Sequence, residues 1–275
     1  MKKALSVLFG LLLWAASAAQ AQYLYTNING TITITGYYGP GGAVTIPATI
    51  NGLPVTRIGL PGPAVLAVPT ILPGVTLVSR AGNWPGVTSV TIPHGVLSLG
   101  PTAFWECLSL TNASLPDSVT NLPAPPFGDC PALISITVDK NNPDYSSAGG
   151  VLFNQRQTAL VQCPEALPGS CTIPNSVTSI GIGAFNGCTG LTNITLPGSL
   201  TTIGSGAFSG CGKLTKVTIP KGVTSIGTGA FGSCTALTAI TVNEDNPDYS
   251  SVDGVLFNKH PTTATRGWRS GATTP

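Results

Sequence analysis

Apolar residues in the second half of the chain fall into a phrase that repeats. Between Ile173 and Val242 the order is Ile-Pro, a Val or Leu, Ile-Gly, Ala-Phe, Cys, Leu, then branched apolar residues alternating with Thr, and it is spelled three times. Pro174, Pro197 and Pro220 recur every 23 residues, as do Phe185, Phe208 and Phe231, and Cys188, Cys211 and Cys234. A fixed period in the twenties marks a solenoid, in which each unit covers the apolar face of its neighbour.

Within one phrase the pattern predicts short strands joined by turns. Alternation sends Ile194 and Leu196 to one face and Thr195 to the other. Pro197 closes that strand, because proline has no N–H to give a ladder. Leu200 and Ile203 form a second apolar pair, and Gly204 permits the turn after it. Ala207, Phe208 and Cys211 stand at helical spacing, which predicts one turn of helix or 3-10 helix with its apolar side inward. A single phrase buries too few side chains to offset the ordering of its own backbone, whereas stacked phrases share strand hydrogen bonds and one core. The expected fold is a repeat solenoid, a right-handed coil of short parallel β-strands with short helical or 3-10 turns and a 23-residue period.

The phrase also stands at Val90-Thr-Ile-Pro93 with Phe104, Cys107 and Leu110, and at Leu115-Pro116 with Phe127, Cys130 and Leu133, so residues 87–262 are predicted to form the array. Insertions interrupt it at 139–172 and 243–262. The first opens Asp139-Lys-Asn-Asn-Pro-Asp-Tyr145 and contains Gly150-Val-Leu-Phe-Asn154; nearly the same words stand at Asn243–Tyr249 and Gly254–Asn258, 104 residues later. The first insertion returns to the phrase through Ala159-Leu-Val-Gln-Cys163-Pro164, whereas residues 263–275 form an off-pattern tail. Ahead of the array, residues 22–59 read as a β-rich cap, with Thr31-Ile-Thr-Ile34-Thr alternating as a strand. Residues 60–86 carry five prolines and read as either a degenerate coil or a surface loop. Residues 1–21 have the layout of a secretory signal peptide, with Lys2 and Lys3, an apolar run from Leu5 to Ala16, and Ala19-Gln-Ala21 as the cleavage site. That run is shorter than a membrane span and no second one comes after it, so the mature chain is expected to be exported and not inserted in a membrane.

Composition narrows the partners. Lys and Arg number 12 against 10 Asp and Glu, and loss of Lys2 and Lys3 with the leader brings the formal charge from +2 to zero. Only 8% of residues are charged, with no basic patch beyond Arg266 and Arg269, so a nucleic-acid partner is not expected. The 34 glycines and 24 prolines fall on the period and mark turns.

Val177-Thr-Ser-Ile-Gly181, Ala184-Phe185, Cys188, Leu191 and the subsequent Ile-Thr-Leu-Pro197, with the Asn-Pro-Asp-Tyr and Gly-Val-Leu-Phe-Asn insertion, resemble the BspA-type leucine-rich-repeat family of bacterial surface and secreted proteins. The likeness covers roughly Val87 to Asn258. It implies a leucine-rich-repeat scaffold at the cell surface or secreted, linked to adhesion and protein binding, with no shared catalytic centre.

The candidate chemistry is sparse. Cys107, Cys130, Cys188, Cys211 and Cys234 hold one position of the phrase; spacings of 23 match no zinc pattern, and a buried column of small thiols is the expectation. Cys163 and Cys171 lie off that column, eight apart, and are candidates for a disulfide-closed loop in an oxidising compartment. Gly227-Thr-Gly229-Ala-Phe-Gly232 spells a dinucleotide fingerprint, but on the turn of the repeat and without a βαβ unit. Asp139, Asn141, Asn142 and Asp144, and likewise Glu244, Asp245, Asn246 and Asp248, offer oxygens to calcium or, as Asn-Pro runs do, build turns. The two histidines, His94 and His260, have no catalytic motif beside them, so no catalytic residue, cofactor or metal is expected.

What remains is surface. Hydroxyls should line the outward strand face at Thr91, Ser114, Thr137, Thr195, Thr218 and Thr241, with Asn193 and Lys216 beside them, and a second row at Ser98, Thr120, Thr178, Thr201 and Thr224. The first set is the candidate site for a protein or glycan partner; scarce aromatic residues weigh against sugar stacking, and Thr equally suits a solvated strand. The function expected is a non-enzymatic exported scaffold, adhesion-like. The alternative is a structural envelope or matrix protein that self-associates through its coils.

Overall fold

The computed structural model describes residues 22–59, 84–101, 103–122, 125–167 and 169–259. The signal peptide assigned to 1–21, most of the 60–86 stretch, His260 and the 263–275 tail lie outside the described residues.

The cap contains β1 (Tyr23–Ile28), β2 (Thr31–Tyr37), β3 (Gly42–Thr45), β4 (Thr49–Ile50) and β5 (Leu53–Ile58). The first coils supply β6 (Val87–Thr91), β7 (Ser98–Leu99), β8 (Asn112–Leu115) and β9 (Ser135–Val138). The first insertion forms β10 (Tyr145–Ala148), β11 (Val151–Asn154) and β12 (Ala159–Gln162). The later coils give β13 (Gly169–Thr172), β14 (Ser179–Ile180), β15 (Leu191–Thr195), β16 (Thr202–Ile203), β17 (Lys216–Ile219), β18 (Ser225–Ile226) and β19 (Ala239–Val242). The second insertion ends the described chain with the hairpin β20 (Tyr249–Val252) and β21 (Val255–Asn258).

Strands stack in two columns. One runs β3-β6-β8-β9 in parallel, and beyond it stand the pairs β13-β15 and β17-β19. The other runs β2-β5-β7 and resumes as β12-β14-β16-β18, where Ile180, Ile203 and Ile226 sit in register one coil apart. β1 covers the outer edge of β2 as an antiparallel strand, and through β5-β7 and β3-β6 residues 22–59 continue into both columns.

Each phrase buries what its spacing predicts. Phe185, Phe208 and Phe231 stack with centroids 4.9 and 5.3 Å apart, and Phe104 lies 5.4 Å from Phe127. Trp84 extends the aromatic row, 5.2 Å from Phe104, with its indole N–H on the Ala103 carbonyl at 3.0 Å. The end of the 60–86 stretch therefore belongs to the core.

The Ala-Phe segment departs from expectation, since no helix forms among the described residues. It is a run of tight turns: Ala207 N–H bonds Gly204 O at 3.2 Å and Ser209 N–H bonds Gly206 O at 2.9 Å. Between these, Gly206 and Phe208 give their N–H to Thr228 O and Ala230 O of the next coil, at 3.0 and 2.7 Å. A helix would have kept those hydrogens within its own segment and cut the coils apart. Close stacking also explains a glycine column, because a Cβ on Gly227 would sit 2.3 Å from Ser205 N.

The interior is two cores. One runs from Tyr23 to Ile136 and takes in Leu152; the other runs from Val151 to Leu256. β11 is the partition, with Leu152 in one core and Val151 and Phe153 in the other.

Candidate functional site

Thr91, Ser114 and Thr137 are aligned by register on β6, β8 and β9, with Thr45 of β3 ahead of them. Thr195 is in register with Thr172. Thr218 is in register with Thr241, and the hydroxyls of that pair lie 2.9 Å apart. Asn193 and Lys216 are exposed beside them. The candidates therefore do not form one platform: after β9 the first hairpin intervenes, where Ile136 N–H bonds Gly150 O at 2.9 Å, and Thr195, Thr218 and Thr241 stand beyond it. In the second hydroxyl row Ser98 turns inward, while Thr120, Thr178, Thr201 and Thr224 stay exposed. Ser98 is buried and accepts the Arg57 Nε–H at 2.9 Å, while Thr178 and Thr201 donate to carbonyls of the preceding coil at 3.2 and 3.0 Å. Those hydroxyls stitch coils together.

At the first patch the face opens onto a hollow of about 480 Å³, ringed by His94, Ser114, Pro116, Asp117, Thr137 and Asp139. His94 Nδ1 lies 2.7 Å from Asp117 Oδ1. Hydrogen bonding from His94 holds the Asp117 carboxyl below its usual range. Sequence reasoning treated His94 as solitary; the missed signal was that Asp117 stands one period on.

The five column cysteines are buried, and each of Cys130, Cys211 and Cys234 donates its thiol to the carbonyl of a phenylalanine 26 residues back, at 3.0–3.2 Å. Cys163 and Cys171 are buried free thiols in hydrogen-bond contact with each other, and Cys163 also touches Cys188. Asn142 and Asn246 do build turns. Each side-chain amide donates to two carbonyls of the preceding coil (Pro116 and Val119; Pro220 and Val223) and accepts two N–H groups of its own turn.

A profile described as BspA type leucine rich repeat region matches residues 82–167 and 168–259, in six copies. The chain belongs to the BspA-type leucine-rich-repeat family. A search of curated proteins finds no match. Among solved structures, a leucine-rich repeat protein from Eubacterium ventriosum is 23% identical over 78% of this chain and 68% of its own, with a TM-score of 0.50. A leucine rich cell surface protein from Faecalibacterium prausnitzii is 28% identical over 87% of this chain and 57% of its own, with a TM-score of 0.43.

In this BspA-type chain the first insertion creates a joint that spacing alone does not reveal. In regular coils Phe185 N–H and Gly187 N–H bond the carbonyls of Ala207 and Ser209 in the next coil. After Phe127 the next coil is displaced, and side chains replace those carbonyls. Gln162 Oε1 accepts Phe127 N–H at 3.0 Å, and its Nε2 donates to Phe127 O at 2.7 Å. Glu165 Oε1 accepts Cys130 N–H at 3.0 Å, and Asp129 N–H also turns to this carboxyl. Burial, with the Asp129 charge behind it, pushes the Glu165 carboxyl up to about 7.

Proposed function

We propose that this chain is a non-enzymatic exported scaffold that binds a protein partner through its hydroxyl-bearing strand face, centred on the hollow beside Ser114 and Thr137. The observation that carries this reading is the convergence there of an outward hydroxyl column with the His94–Asp117 pair and Asp139. Several hydrogen-bonding groups around one depression provide orientation and selectivity that scattered threonines do not. Hydroxyls and carboxylates without aromatic planes favour a polar protein epitope over a stacked sugar. The leader-like residues 1–21 and the family resemblance support delivery to the cell surface or beyond.

The test is capture of partners by the full chain from extracts of the cells or medium it meets, against two triple variants, Thr91→Lys/Ser114→Lys/Thr137→Lys and Thr195→Lys/Thr218→Lys/Thr241→Lys. Loss of a specific partner with the first variant is expected. If both variants retain every partner, the strand face is not the binding surface.

A further inference from the structure

The displaced coil after the first insertion follows the pattern of the others with two substitutions. In the regular phrases the core phenylalanine is followed nine residues later by a buried apolar strand residue, as with Phe185 and Ile194 or Phe208 and Val217. Backbone bonds put Cys163 at the phenylalanine position of the displaced coil. Its N–H meets Ala184 O at 2.7 Å, just as Phe185 N–H meets Ala207 O and Phe208 N–H meets Ala230 O at 2.7 Å. Cys188 turns its thiol to Cys163 O at 3.8 Å, as Cys211 does to Phe185 O at 3.2 Å. Cys171 lies opposite Ile194 in the β13-β15 register, and so takes the strand position.

Both core positions of this one coil are therefore cysteine at once, and neither is cysteine in any other phrase. As hydrophobes, two thiols fill less of the interior than the Phe and Ile of the next coil, so packing alone does not call for the pair. They are in contact, and buried in the same apolar cluster. The column cysteines have a different and repeated duty, since Cys130, Cys211 and Cys234 each donate to a phenylalanine carbonyl. The segment between Cys163 and Cys171 turns tightly: Leu167 N–H bonds Pro164 O at 3.1 Å, and Gly169 leads into β13 with φ of 79°. That segment also holds the preceding coil, through Glu165 on Cys130 N–H and through Ala166 N–H on Leu133 O at 2.8 Å.

We propose that Cys163 and Cys171 are the site of an intramolecular disulfide, which closes the segment joining the two cores. Thiols already in contact across one turn meet the closeness that a bridge requires. The reaction is thiol–disulfide exchange with a small-molecule disulfide, on the chain before its coils close over the sulfurs. One cysteine sulfur attacks the oxidant's S–S bond, and the second displaces the remaining half from the mixed disulfide. Two cysteine S–H bonds and the oxidant's S–S bond break; the Cys163–Cys171 S–S bond and the two S–H bonds of the reduced oxidant form. Only the compartment in which the oxidant is met rests on the export reading above, and the chemistry in a defined redox buffer does not.

The experiment synthesises the full chain cell-free in a buffer of oxidised and reduced glutathione, quenches it with acid, alkylates it under denaturing conditions and maps its peptides by mass. Of the seven cysteines, five are expected to be alkylated (seven less the bonded pair), with Cys163 and Cys171 in one cross-linked product. Reductant should then lower the thermal midpoint by about 5 °C or more. It should also speed amide exchange at Cys130, which the closed segment holds. Cys171→Val, which places there the residue type of Val217, should melt alike with and without reductant; the peptide map needs no variant and decides the matter even if that chain folds poorly. The Thr-to-Lys strand-face variants should form the bridge unchanged, so loss of the bridge and loss of partner capture are separate outcomes. Alkylation of all seven thiols overturns the proposal. A cross-link from Cys163 to Cys188, the other sulfur it touches, or one between column cysteines in place of the pair, overturns it too.

Discussion

The Val-Leu-Phe-Asn strands at 151–154 and 255–258 are identical in sequence and in hairpin register, yet they do different things. β11 is a wall between two cores, with side chains of both faces buried. β21 has one buried face, where Leu256 is 1% exposed, and a second face on which Phe257 meets water. The difference is nearest-neighbour in origin: a solenoid coil takes its stability from the layers on either side, and among the described residues β11 has β12 after it whereas β21 has β20 alone. Local sequence specifies the hairpin. The next segment specifies its worth.

That contrast can be broken most directly at the paired phenylalanines. Phe153→Ala should cost about 3–5 kcal/mol in denaturant unfolding of the full chain, because it leaves a cavity in a closed core. Phe257→Ala should cost less than about 1 kcal/mol. Equal losses would mean that β21 is as enclosed as β11 and that the comparison is false. The paired asparagines sharpen it from the other side. Asn142 and Asn246 make the same four bonds to equivalent atoms, at 2.7–3.0 Å, so their turns do not depend on the segment beyond the hairpin. Asn142→Leu and Asn246→Leu should each cost roughly 2–3 kcal/mol, since each strands two carbonyls and two N–H groups. Thermal melts giving one large and one negligible loss would show that the hairpins differ internally.

Much of the fold was legible because the period is rigid. Phe185, Phe208 and Phe231 could only stack if coils had equal length, and they do. The helical turn was misread because Ala207, Phe208 and Cys211 have helical spacing, whereas the N–H groups of Gly206 and Phe208 serve the adjacent coil, a partner that spacing within one phrase cannot reveal. Thr91, Thr137, Thr195, Thr218 and Thr241 are exposed, but the break after Thr137 comes from the place where a hairpin meets β9, which the repeat phrase does not encode. Gln162 and Glu165 were invisible for a related reason. Each occurs once, off the repeat, and its purpose exists only because Phe127 and Cys130 lie 35 residues earlier in sequence and one layer away in space.

Glu165 carries the effect most specific to the first unit. Its carboxyl is raised from 4.5 to about 7, first by burial and then by the Asp129 charge, against the pull of the two backbone N–H groups it accepts. The folded chain thus holds this proton more tightly than the unfolded chain, and stability must fall as pH rises between those values. The contribution is fully present below about 4.5 and is lost as pH rises through about 7, by an amount on the order of 2 kcal/mol. Glu165→Gln keeps an acceptor for Cys130 N–H but cannot titrate, so its denaturation midpoint should lack this slope. Amide exchange locates the effect: Asp129 and Cys130 should exchange faster at pH 7.5 than at pH 5 once intrinsic rates are removed, while Ser233 and Cys234, with no Glu165 counterpart in sequence, should show no such change. A slope that survives Glu165→Gln would assign the titration to another group and leave the joint a matter of hydrogen-bond geometry alone.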